Sequence, residues 1–248
     1  MNKKQARRKA RKRFSIATIL EKEYLRKLRT LTNQIDAIIK GLVNKSWLPE
    51  STVVEQTLRS YSETIKPWAQ SVAQTMVERI TDKDANAWTQ LSNEIGKNLR
   101  REINTAPTGQ IMREFMDEQV RLITSLPLDA ASKVHELTLE GIVTGRRAED
   151  IKRDVLKLGA MTENRAKMIA RTEVARTASV LTQARCNHVG ITHYVWETCD
   201  DESVRQSHKE MNGKIVAWAE TPLLSDGTRT HAGQFINCRC YPSPIVPD

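Results

Sequence analysis

Seven apolar residues between Leu20 and Leu42 (Leu20, Tyr24, Leu28, Leu31, Ile35, Ile38 and Leu42) fall at steps of 4, 4, 3, 4, 3 and 4. Threes and fours lay one seam along a helix, whereas a half-buried strand would need every second residue. The spacing predicts a helix from Ser15, a residue type that caps helix N-termini, to about Asn44. Its seam would pack within its own subunit or against a partner helix. Pro49, Pro67, Pro107 and Pro127 then punctuate predicted helices near 51–65, 68–81, 84–104, 109–125 and 128–143. Val72, Met76 and Ile80, and Trp88, Leu91, Ile95 and Leu99, repeat the same spacing and read as half-buried faces. Trp47, Trp68 and Trp88 read as core anchors, since no basic residues interleave with them.

Gly145 opens a helix–turn–helix passage. Ile151, Val155 and Leu158 give 148–158 an apolar face, with Gly159 as its stop. A long helix follows from Thr162 to His188. It contains Ala170-Arg171-Thr172-Glu173, in which Arg171 and Glu173 point to different sides, while Arg176 is spaced to pair with Glu173.

Past Gly190 the character changes. Ile191 to Trp196 is rich in β-branched and aromatic residues and reads as a strand, as do 214–218 and 235–241, with Pro242, Pro244 and Pro247 ending the third. Asp201 to Met211 reads as a short helix that Gly213 closes. The fold class is therefore mainly α: an N-terminal helical region of several helices with a small C-terminal α+β module. The expected organisation is a basic arm at 1–14, helical stretches at 15–126 and 127–190, and the module at 191–248.

Charge is unevenly placed. The net charge is +9, yet residues 1–30 hold 12 of the 39 Lys and Arg and two of the 30 acids, a surplus of +10 against −1 for the rest. Lys3, Lys4, Arg7, Arg8, Lys9, Arg11, Lys12 and Arg13 have no acid among them and no apolar face, so this arm is expected to be disordered when unbound. Such a segment gains by releasing counterions from phosphates and reads no base sequence. Nucleic acid is the expected partner, with an acidic protein surface, anionic lipid or simple solubilisation as the alternatives. No apolar run approaches the roughly 20 residues that a membrane span needs. The basic start lacks the apolar core of a secretory signal, so a soluble intracellular chain is expected.

Cys199, His208, Cys238 and Cys240 form a C-x8-H…C-x-C set in the module. Thiolates with a neutral imidazole suit zinc, and a small module gains from a metal cross-link. C-x-C is tighter than the usual C-x2-C, so buried thiols with His208 bonded near the Asp200–Asp201 turn stay open as the other reading. Asp200, Asp201, Arg205 and His208 would also suit a metal-dependent nuclease, since separations of four and three residues put Asp201, Arg205 and His208 on one helix face. A self-satisfied polar network is the simpler account of the same residues.

The order of these motifs resembles the phage head morphogenesis domain typified by protein F of phage Mu. Ala170-Arg171-Thr172-Glu173 is followed by Gly190 to Trp196. The family pattern W-x-T-x-x-D-x-x-V-R-x-x-H-x-x-x-x-G is then met by Trp196, Thr198, Asp201, Val204, Arg205, His208 and Gly213, and the terminal C-R-C by Cys238, Arg239 and Cys240. The likeness covers roughly 130–242 and lacks the Pro-rich run often found before the last cysteines. It implies a minor capsid protein of a tailed phage, without enzymatic activity and associated with the portal protein. It also implies a role in procapsid assembly, DNA packaging or ejection, with scaffold or major capsid protein as further partners. The expected location is the virion, after assembly in the bacterial cytoplasm. A metal-dependent nuclease or toxin delivered with the genome is the alternative.

Overall fold

A computed structural model describes residues 18–45, 51–95 and 107–246. The basic residues from Lys3 to Arg13, the predicted cap Ser15, Trp47 and Leu99 lie outside them, as do the side chains of Leu91 and Ile95. The elements are α1 (Thr18–Lys45), α2 (Ser51–Thr64), α3 (Lys66–Ile95), α4 (Thr108–Val143), α5 (Ala148–Leu156), α6 (Leu158–His188), β1 (His193–Thr198), α7 (Gln206–Lys209), β2 (Ile215–Ala217) and β3 (Cys240–Pro244). The chain is mainly α, with a small antiparallel sheet of order β2-β1-β3 in its C-terminal part, the class the sequence predicts. No described helix is long and apolar enough to cross a membrane. Two compact units form from interleaved stretches: a helical unit from Lys22–Gln74 and Met116–Ala170, and a mixed unit from Thr75–Phe115, Arg171–Asp248 and the residues up to Glu21.

In the helical unit α1 buries Tyr24, Leu28, Leu31, Ile35, Ile39 and Val43. Beyond Ile35 the buried row moves from the predicted Ile38 and Leu42, which are half-buried, to the residues one further on. A straight helix turns every 3.6 residues, so a face read with a 3.5 period drifts off it. Tyr24 donates to Gln119 Oε1 at 2.8 Å, and Ser62 donates to the Thr124 carbonyl at 2.8 Å. Arg165 pairs with Asp129 at 2.6 Å, and Arg29 with Glu163 at 3.2 Å.

Two predicted breaks, at 82–83 and at Pro127, are absent, and those near Pro67 and Gly159 fall slightly earlier, at Ile65 and Lys157. Pro67 sits in the first turn of α3, where its missing N–H costs nothing, and α3 runs unbroken from Lys66 across the predicted gap at 82–83. Pro127 lies inside α4, which continues through it. The expense of an interior proline, about 3 kcal/mol, is offset by burying Ile123, Leu126, Ala130 and Ala131 on one face. Gly159 lies in the first turn of α6, which starts at Leu158, and Lys157 caps α5. A Cβ at Gly159 would stand 2.5 Å from Asp36 Oδ1, so this glycine serves a close approach of two helices instead of a helix stop.

The mixed unit is built on β1. Tyr194 and Trp196 of β1 join Ala87, Trp88, Cys186, Val204, Val216, Trp218, Cys238 and Cys240 in one buried cluster. Trp88 is fully buried, as predicted, while Trp68, in the helical unit, is half-buried. β3 begins and ends later than the predicted third strand, and Pro242 and Pro244 lie within it. The Ile245 N–H bonds to the His193 carbonyl and the Cys199 N–H to the Arg239 carbonyl. That phase makes 241 and 243 the hydrogen-bonding positions of β3 and turns 242 and 244 outward, where an edge strand accepts proline.

Asp84 and Arg185 form a buried ion pair in this unit, and Thr182 donates to Asp84 at 2.9 Å. Burial pushes the Asp84 carboxyl up to about 6, and Arg185 opposes the shift. Removing one partner strands the other charge, so Asp84→Ala is expected to cost about 3–5 kcal/mol, read as a lower urea midpoint. Adding Arg185→Leu should recover much of that loss.

Candidate functional site

β1 and β3 decide which motif residues meet. Paired residues across the ladder share a face, and neighbours along a strand alternate. Thr198 opposes Cys240 and Trp196 opposes Pro242, so Cys240 shares the Trp196 face. Cys238 lies in the loop that leads into β3, where its N–H closes a turn onto the Phe235 carbonyl, and its sulfur is gathered beside that of Cys240. Cys199 opposes Arg239 and falls on the other face, where it is exposed. The structure thus gathers three of the four predicted ligands. His208, Cys238 and Cys240 have relative exposures of 1%, 1% and 0%, with their donor atoms all within 4.8 Å of one another. His208 Nδ1 stands 3.4 Å from Cys240 Sγ and 3.5 Å from Cys238 Sγ. The imidazole makes an edge contact with the Trp196 ring at 5.5 Å between centroids. Its Nδ1 meets the two sulfurs, and neither ring nitrogen bonds to the Asp200–Asp201 turn.

The two thiols are electrostatically unlike. A hydrogen bond from Cys240, helped by His208, holds Cys238 well below the usual thiol range. The same bond and burial push Cys240 up.

The predicted helix at 201–211 shrinks to the four residues of α7. Asp201 folds the chain ahead of it into turns, its carboxylate accepting from the Ser203 N–H at 3.0 Å and its carbonyl from the Val204 N–H at 3.2 Å. Asp201, Arg205 and His208 therefore do not share a helix face. Asp201 pairs with Arg239, the Arg205 guanidinium lies 5.0 Å from the centre of the Phe235 ring, and His208 points inward. Ser207 ties α7 to the following loop through Asp226 at 2.7 Å. Bonds from Thr228 and then Ser207 hold the Asp226 carboxyl down at about 2. Gly213, at φ +80°, closes the passage by donating to the Trp196 carbonyl at 2.7 Å.

The cysteine loop is fastened to α6. Arg171 donates to Asn237 Oδ1 at 3.2 Å and to Glu21 at 3.1 Å, and the Asn237 N–H donates to the Thr172 hydroxyl at 2.8 Å. Asn237 is left-handed, at φ 55°. Ser179 donates to the Ala232 carbonyl at 2.6 Å. Glu173 is buried in the same stretch of helix, and Arg176 holds its guanidinium 5.8 Å from the centre of the Phe115 ring. Sequence reasoning singled out Arg171 and Glu173 but missed Thr172, Ser179, Gly233 and Asn237. The usable signal was the A-R-T-E string itself, whose hydroxyl was left without a role.

Gly233 marks a close approach of loop to helix, at φ +86°. A Cβ there would lie 3.1 Å from Ser179 Cβ and 3.2 Å from the Cys240 carbonyl. Strain and contact act together, so Gly233→Ala should lower stability by about 1–3 kcal/mol. The exposed helical Gly109→Ala, whose Cβ has room, should be neutral or stabilising. Thermal melts of the two variants check the contrast.

No solved structure matches the chain. An uncharacterized protein of Haemophilus influenzae is 32% identical over 180 residues, which cover 72% of this chain and 39% of that protein. The chain thus spans about two fifths of that relative's length. Residues 132–242, the stretch that carries the A-R-T-E string, the Trp196–Gly213 pattern and the C-R-C cysteines, match the family described as Phage Mu protein F like protein.

Proposed function

We propose that the protein is a minor head protein of a tailed bacteriophage, associated with the portal vertex and acting in procapsid assembly and in packaging or delivery of the genome. The family match over 132–242 carries this reading, and phage head morphogenesis is the role that match supports. The arm from Lys3 to Arg13 would hold duplex DNA through its phosphates without sequence preference. Helical parts of the chain would dock on the portal, with scaffold or major capsid protein as further neighbours. The protein would assemble in the bacterial cytoplasm and travel in the head.

A structural role also suits the chemistry of the mixed unit. Arg171, Arg205 and the Asp201–Arg239 pair are engaged with neighbours in their own fold. A catalytic group must instead face a substrate with its reactive atom uncommitted.

Neutralising about eight phosphates gives a log–log salt dependence of binding with a slope near −7. Deleting residues 1–13 should flatten it, and an unchanged slope would remove the arm from this account. Tracking the protein into purified particles tests the head assignment. Plasmid cut in the presence of Mg²⁺, Mn²⁺ or Zn²⁺, with cutting lost in His208→Ala, would favour a nuclease or toxin delivered with the genome.

A further inference from the structure

His208, Cys238 and Cys240 arrive from separate places in the fold: α7, the loop fastened to α6, and the first residue of β3. Their meeting point has a geometry that ordinary hydrogen bonding explains poorly. Both sulfurs stand at nearly the same distance, 3.4 and 3.5 Å, from one ring nitrogen, His208 Nδ1. A single ring nitrogen is either a donor with one proton or an acceptor with one lone pair, so it serves one thiol well and not two. The other nitrogen, Nε2, is buried and has no hydrogen-bond partner. A cation shared by the three atoms accounts for the equal spacing. A nitrogen and a sulfur on one tetrahedral zinc, at about 2.0 and 2.3 Å, stand about 3.5 Å apart.

We propose that His208 Nδ1, Cys238 Sγ and Cys240 Sγ bind one zinc ion that clips α7, the cysteine loop and β3 together. Two thiolates and an imidazole select a soft or borderline ion over magnesium or calcium. The C-x-C pair spans the entry to β3: Cys238 leaves the turn at Phe235–Asn237 and Cys240 is the first strand residue, and both sulfurs come to the same ring nitrogen. Among the described residues this is the one group of His, Cys, Asp and Glu gathered closely enough to share an ion. Cys199 is not a ligand in this proposal, because it occupies the opposite face of the ladder. Nothing in the argument depends on the head-protein reading, so either can fail without the other.

The test uses the full-length chain purified without chelator and without an affinity tag that binds metals. Elemental analysis should find roughly one zinc per chain, retained in Cys199→Ser. Cobalt exchanged into the protein should give the visible absorption of a tetrahedral site and a sulfur-to-metal charge-transfer band of two thiolates. That band should fall by about half in Cys238→Ser or Cys240→Ser, where metal affinity drops at least about tenfold. Should those variants fail to fold, the parent protein decides: chelation should lower its melting temperature by several degrees and added zinc should restore it. Zinc near zero in folded protein, a Cys238–Cys240 disulfide in material purified under reducing conditions, or loss of metal in Cys199→Ser would each overturn the proposal.

Discussion

The alternation of side chains along β1 and β3 governs the mixed unit. Trp196 and Cys240 turn inward because they stand at matching positions of one antiparallel ladder. The same parity sends Cys199 and Arg239 outward, where Arg239 meets Asp201. It also explains why two prolines are tolerated in β3, since both fall where the strand has no donor to offer β1. Val195 and Glu197 on the opposite face of β1 are buried as well, so a one-residue slip would exchange two faces that each have their own partners.

That alignment is held from outside the sheet. The backbone at Asn237 is tied to Thr172, and Gly233 allows the loop to lie directly on α6. The A-R-T-E string and the cysteine pair are therefore parts of a single construction, although more than sixty residues separate Thr172 from Asn237. Helix, loop and strand fix one another, and the buried imidazole sits where they converge.

Periodicity revealed the helices and the change of character at Gly190, because burying one face of a helix leaves a trace at every turn. It overstated the breaks. Proline in the first turn of α3 is harmless, and Pro127 is carried by the burial of its neighbours, which no local rule weighs. A glycine after an amphipathic run predicts a helix end, where left-handed backbone is its commonest use, but Gly159 serves the approach of Asp36. The metal-ligand types were legible as a set, but membership was not. Whether Cys199 joins Cys238 and Cys240 depends on strand pairing, and pairing is a property of two distant segments together. The short α7 was likewise hidden, since Asp201 spends its carboxylate on a turn where a four-residue spacing suggested a helix.

The order of the strands has a consequence for synthesis. β1 leaves the ribosome more than forty residues ahead of β3, its partner along five residue pairs. Until Cys240 to Pro244 emerge, β1 carries Tyr194 and Trp196 beside a bare edge of unpaired amides, the kind of surface that recruits other chains. A product cut short before Tyr241 is thus not a smaller version of the protein but an open template for misassembly, and a cell that makes it must shield it or destroy it.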